Sequence, residues 1–233
     1  MTCLNTAFNK NIECESAERV GMQQRRILNT KEKIYWGIIE ELKQIPLTNL
    51  TDRGIIKEAQ VSSGTFYKYF KNRTDALRSL ENELVLGYVT ALSTDLKNWH
   101  FEKVLSDEKV VALVQSKLNE TFNFWNKYSE DLLVLVSKNS DKYFFDQLIN
   151  KTEMQIRKLL AKYCKTEPEN QITSNKLKLD AFSHQMAVSA LTTLIWGYRH
   201  VAYMSGNDIK KSVAAMIVNA PFKLIIVKRF TED

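Results

Sequence analysis

From about residue 30 onward, apolar residues return every three or four positions with little interruption, a period that predicts one helix after another. Ile34, Ile38 and Leu42 form the first stripe, with Ile45 one step further, and Pro46 ends it. Thr30 offers a hydroxyl to cap this helix, although Lys33 stands where a capping box would place an acid. A short second helix is expected from a Thr51 cap through Ile55, Ile56 and Ala59, with Asp52 in its first turn favourable to the helix dipole. A third begins at Ser62 or Ser63 and buries Phe66 and Phe70, which lie four residues apart on one face with Val61 near its start. Asn72 is placed to cap a long fourth helix, with Leu77, Leu80, Leu84, Tyr88 and Leu92 along one side to about Trp99. The pattern then predicts helices near 108–127, 129–138, 141–165, 175–205 and 207–230, without an internal repeat. Only 7 glycines and 3 prolines punctuate 233 residues, and the expected fold is all-α.

Two short helices joined by a turn of three or four residues, the second carrying polar side chains outward, have the proportions of a helix-turn-helix. Residues 1–29 lack sustained periodicity and are expected to form a flexible arm or an extended start, with Met22 an alternative first residue. The helix-turn-helix domain is expected over 30–78 and a larger helical domain over 79–233.

Charge sharpens this division. Residues 22–78 hold eleven Lys and Arg against six Asp and Glu, so most of the net charge of +6 sits in one quarter of the chain. Within it, the stretch AQVSSGTFYKYFKNRTDAL, residues 59–77, has no acid before Asp75. With Phe66 and Phe70 buried, its other face presents Ser63, Thr65, Lys68 and Tyr69, with Tyr67 at the border, and all of these can donate hydrogen bonds to an anion. A local basic excess beside such donors points to a polyanion.

Other chemistry is poorly represented. No apolar run approaches the ~20 residues of a membrane span and no signal peptide is evident, so a cytoplasmic protein is expected. Cys3, Cys14 and Cys164 have neither metal-ligand nor redox spacing. His184 and His200 are sixteen residues apart and point away from each other on one helix, so no metal site is assigned. No phosphate loop, nucleophile elbow or paired-carboxylate motif suggests an enzyme or a cofactor.

The segment VSSGTFYKYFKNRTDAL resembles the recognition helix and the start of the fourth helix in the TetR family of bacterial transcriptional regulators. In that family V-S-x-G-T-[LF]-Y-x-[YH]-F is followed by a basic residue and then Leu. The resemblance extends less closely back to Thr30 and covers about a quarter of the chain. It implies that Ser63, Thr65, Tyr67, Lys68 and Tyr69 face double-stranded DNA, that Arg73 meets a phosphate, and that Arg53 on the second helix also reaches DNA. Lys68 and Arg53 are the candidates for guanine contact. Ile56 departs from the family's Ala, Gln60 from its Gly at the helix-ending turn, and Pro46 from its glycine-bearing exit of the first helix. Gln23, Gln24, Arg25 and Arg26 could reach a neighbouring groove, though an arm without a role is the simpler expectation.

For the larger domain the resemblance implies effector binding and dimerisation. Trp99, Phe122, Trp125, Phe145, Gln185 and Met186 are the candidates to line a cavity for an aromatic or hydrophobic small molecule. Residues 187–204 are apolar almost all round, as a helix between its own core and a second subunit would be. Ala190, Thr193 and Gly197 offer a side for close approach, and Ile217 and Leu224 extend the expected dimer interface along the last helix. The expected protein is a homodimeric, ligand-responsive repressor acting on a palindromic operator, the alternative being a co-regulator of the same fold that binds a protein partner instead of DNA.

Overall fold

The computed structural model describes residues 29–97, 107–137, 140, 142–165 and 176–217. It is all-helical over these residues. Helix α1 spans 29–44, and a 3-10 turn follows at Leu47–Asn49. Then come α2 (Asp52–Glu58), α3 (Ser63–Tyr69), α4 (Arg73–Lys97), α5 (Asp107–Lys117), α6 (Asn119–Leu135), α7 (Lys142–Lys165), α8 (Lys176–Arg199) and α9 (Gly206–Ile217). Two compact units meet within α4, between Leu80 and Glu81. None of the described helices is long and apolar enough to cross a membrane.

The first unit closes around the stripe of α1. Ile34, Ile38 and Leu42 are almost wholly buried with Leu50, Ile55, Phe66, Phe70 and Leu77, and each such side chain contributes roughly 1.5–3 kcal/mol by leaving water. The Tyr35 hydroxyl meets that of Ser79 at 2.9 Å, tying α1 to α4. Residues 29 and 30 are already helical, so Thr30 lies inside α1 and does not cap it at the expected place. Pro46 does follow the end of the helix, and it opens the 3-10 turn.

Gly37 sets how closely α1 approaches the end of α2. A Cβ there would lie 2.8 Å from the Ala59 nitrogen and 2.9 Å from the Ile55 carbonyl oxygen, both backbone atoms. Alanine normally gains about 1 kcal/mol over glycine within a helix, but overpacking a core costs about 1–3 kcal/mol, and backbone cannot swing aside. Gly37→Ala is therefore expected to destabilise the first unit by about 1–2 kcal/mol, as urea unfolding would read.

In the second unit, α5 and α6 break at Leu118, not near residue 128 as the periodicity predicts. The cause is tertiary: the buried Asp95 carboxylate on α4 accepts the Glu120 N–H at 3.0 Å and the Thr121 N–H at 2.8 Å, capping the new helix from outside it. Gly87 on α4 allows Phe124 of α6 to approach closely, with a Cβ at Gly87 falling 2.7 Å from the Phe124 ring. Helices α7 and α8 are paired by His184 with Glu153 at 2.9 Å and by Arg157 with Asp180. Helix α8 ends at Arg199, short of residue 205, and a turn leads into α9.

Candidate nucleic-acid interface

The candidate surface begins with three caps. The Thr51 hydroxyl accepts the Gly54 N–H at 3.0 Å at the start of α2, and the Ser62 hydroxyl accepts the Thr65 N–H at 3.0 Å at the start of α3. At α4, Asn72 accepts the Asp75 N–H at 2.9 Å while the Asp75 carboxylate accepts the Lys71 N–H at 2.9 Å.

Between α2 and α3 the chain turns through Gln60, whose φ of 51° lies in the left-handed region. The Gln60 N–H reaches the Lys57 carbonyl at 3.2 Å and the Val61 N–H reaches that of Ile56 at 3.3 Å, the two bonds of a Schellman ending. The departure from glycine thus leaves the turn in the left-handed geometry a glycine would favour, at roughly 1 kcal/mol of backbone cost.

This turn aims α3 outward. Phe66 is fully buried and Phe70 nearly so, whereas Ser63, Tyr67 and Lys68 are exposed and Thr65 and Tyr69 are half-buried. The Thr65 hydroxyl rests 2.8 Å from that of Ser62, and the Lys68 ammonium lies 5.8 Å from the centre of the Tyr69 ring. Arg53 is exposed on α2. Arg73 is exposed as well, but its guanidinium donates to the Leu50 carbonyl and its backbone N–H donates to Asp52 at 2.7 Å. All seven expected contact residues lie in this first unit; the structure ties Arg73 to the 3-10 turn and α2, and leaves Arg53, Ser63 and Lys68 exposed.

Asp52 does more than complement the helix dipole. Its two oxygens take the Tyr67 hydroxyl at 3.0 Å and the Arg73 N–H at 2.7 Å, so one carboxylate links α2, α3 and α4. The hydrogen bond to Asp52 holds the Tyr67 phenol above its ordinary pKa, which keeps it a protonated donor. Periodicity cannot reveal such a link, because Asp52 and Tyr67 are fifteen residues apart. Gly64 adds a feature that helical spacing does not signal. A Cβ there would meet nothing closer than 3.9 Å, so packing within the chain does not demand glycine, and the exposed first turn of α3 lets another molecule approach its backbone.

In the second unit Phe122 and Met186 line an apolar cavity of about 60 Å³, together with Tyr88, Leu92, Thr121 and Ile156 among others. Burial raises the Tyr88 phenol to about 12, its bond to Thr152 pulling slightly the other way. Trp125 is fully buried, stacked on Tyr198 at 5.5 Å and edge-on to Tyr88 at 6.4 Å. Phe145 is half-buried and Gln185 exposed; neither these two nor Trp125 lie on the cavity wall, and Trp99 lies outside the described residues.

The small residues of α8 turn inward. Ala190 lines the cavity, and Gly197 is buried where a Cβ would fall 2.7 Å from Ile209 of α9, so its close approach is used within the chain. Thr193 is half-buried, Ile217 is the last residue of α9, and Leu224 and the four arm residues 23–26 lie outside the described residues. The exposed apolar groups nearby are Trp196, stacked on His200 at 4.3 Å, with Val201, Tyr203 and Met216.

These elements define a class: a capped helix-turn-helix followed by an all-helical second unit built around an apolar interior. No family model matches the chain. A stretch of 63 residues, 27% of the chain, is 43% identical to the fatty acid metabolism regulator protein of Bacillus subtilis (strain 168), and the match spans 30% of that protein's length. The structure superposes on a TetR transcriptional regulator from Streptococcus agalactiae 2603V over 86% of this chain and 99% of the other, with a TM-score of 0.50 and 18% identity. The chain has the TetR fold, and the resemblance to that family holds in both motif and architecture.

Proposed function

We propose that the protein is a homodimeric, sequence-specific DNA-binding regulator, a repressor released from a palindromic operator by a small apolar effector. The observation that carries this reading is the outward face of α3, where hydroxyls and an ammonium stand on a helix fixed at both ends and no acid interrupts them before Asp75. Lys68 and Arg53 neutralise phosphate or reach guanine, and Ser63, Thr65, Tyr67 and Tyr69 fix the register on the backbone. Arg73 serves through its guanidinium at the start of α4, which must exchange the Leu50 carbonyl for a phosphate. The relative named for fatty acid metabolism and the apolar cavity both favour a hydrophobic effector.

Dimerisation would pair two such heads on two half-sites. The exposed Trp196 on α8 favours that end of the second unit as its interface. An effector preferring one conformation of the second unit would shift the population toward it in proportion to that preference, and α4, which belongs to both units, is the element through which the heads would respond.

Fluorescence anisotropy against DNA from upstream of the protein's own gene and a shuffled control, across a salt series, tests the reading. Saturable preference for the native fragment is expected. Lys68→Ala should weaken binding and flatten the log-log salt slope by about one, as follows when one fewer phosphate is neutralised. Equal binding to both fragments would remove sequence specificity, and no binding together with capture of a protein partner through α3 would favour the co-regulator reading.

A further inference from the structure

Five hydroxyls on the described helices return their proton to the carbonyl one turn earlier: Thr90 to Leu86, Thr94 to Thr90, Thr152 to Leu148, Ser183 to Leu179 and Thr192 to Val188. Thr121 does not. It is the third residue of α6, so no carbonyl of its own helix lies four residues back, and its backbone N–H is already given to Asp95. Its side-chain oxygen is buried without a hydrogen-bond partner among the described residues, and Thr121 lines the apolar cavity.

One turn along the same helix, the indole N–H of Trp125 is likewise buried and unpartnered among the described residues. It lies one turn along the same face of α6 but is not among the residues lining the cavity, so Thr121 is the unpaired donor on the cavity wall. Buried polar groups are nearly always paired in folded proteins, so an unpaired hydroxyl on a cavity wall marks where a bound molecule would be held.

The rest of the wall limits what that molecule is. Among the described residues lining the cavity none is charged, and the hydroxyls of Tyr88 and Thr152 are 2.9 Å apart and serve each other. An ionised ligand would be desolvated there without a counter-charge. An anion would also meet the Asp95 carboxylate, which lies against the Thr121 backbone.

Resting on the reading of this cavity as the effector site, we propose that it takes an uncharged, largely apolar molecule bearing one hydrogen-bond acceptor, of the ketone or ester carbonyl class, whose oxygen receives the Thr121 hydroxyl. At about 60 Å³ the cavity holds the polar end and a short stretch of chain, and the flexible Met186 and Leu92 side chains on its wall yield to the remainder.

The test is calorimetric titration of the full chain, without DNA, with octan-2-one and with octanoate at neutral pH. The ketone is expected to bind saturably and at least about tenfold more tightly than the carboxylate, because only the latter loses the hydration of a full charge. Thr121→Val should weaken the ketone by roughly three- to tenfold, the range of one neutral hydrogen bond, while Thr121→Ser keeps the wild-type affinity. Thermal unfolding of each variant without ligand separates lost binding from lost folding. Octanoate binding as tightly as the ketone, no saturable ketone binding, or unchanged ketone affinity in Thr121→Val would overturn the proposal. Because DNA is absent, none of these results bears on whether α3 reads an operator, and failure to bind DNA would leave the titration intact.

Discussion

Phe66→Ala is expected to destabilise the first unit by about 3–5 kcal/mol, the range for deleting a fully buried aromatic ring, and to abolish DNA binding as a consequence. Phe66 is completely buried and lies edge-on to Tyr67 at 5.3 Å and 6.1 Å from Phe70, which in turn lies 5.9 Å from Tyr35 of α1. Helix α3 has seven residues, too few to persist in water on its own propensity, so its position depends on this anchor. A domain of ordinary stability has about 5–15 kcal/mol to lose, so the change consumes much of it. Hydrogen exchange over α1 to α4 would read the loss locally, which suits a chain of two compact units better than a single unfolding midpoint. Tyr67→Phe is the contrast. It removes one exposed hydroxyl bonded to Asp52, so protection should remain near wild type while, on the proposed reading, affinity for DNA falls. Equal loss of protection in both variants would mean that the Asp52 link holds α3 as much as the aromatic anchor does.

The difference between these two residues also explains what the sequence can and cannot disclose. The four-residue spacing of Phe66 and Phe70 identifies the buried face, and the helix starts at Thr51, Ser62 and Asn72 are legible because a capping side chain acts within three residues of itself. Asp52 joining Tyr67 and Arg73, and Asp95 capping α6 across twenty-five residues, depend on contacts that no local pattern encodes. The same limit governs Gly197. Its spacing from Thr193 signals close helix approach, but only the fold reveals that the neighbour is Ile209 of the same chain. Of the cavity, Phe122 and Met186 are legible as apolar residues in an aromatic-rich region, whereas Thr121 is not, because a hydroxyl in the first turn of a helix ordinarily finds a local partner.

Trp125→Ala is expected to cost the second unit about 3–5 kcal/mol, measured by urea unfolding and by exchange in α6 and α8. The indole is fully buried, stacked on Tyr198 with an interplanar angle of 23° and edge-on to Tyr88 at 86°, so its removal opens a void between three helices. Trp125→Phe should behave differently. Phenylalanine retains part of the ring contact and leaves a smaller void, so it should cost less than alanine. What it deletes beyond carbon is an N–H with no partner among the described residues, and an unpaired buried donor gives up its hydration without return, so its loss offsets part of the packing cost. The two substitutions therefore separate the ring from its polar atom: the ring stabilises the fold, and the N–H has no stabilising role until something accepts it. A Trp125→Phe variant as unstable as Trp125→Ala would mean that the N–H is paired within the folded protein.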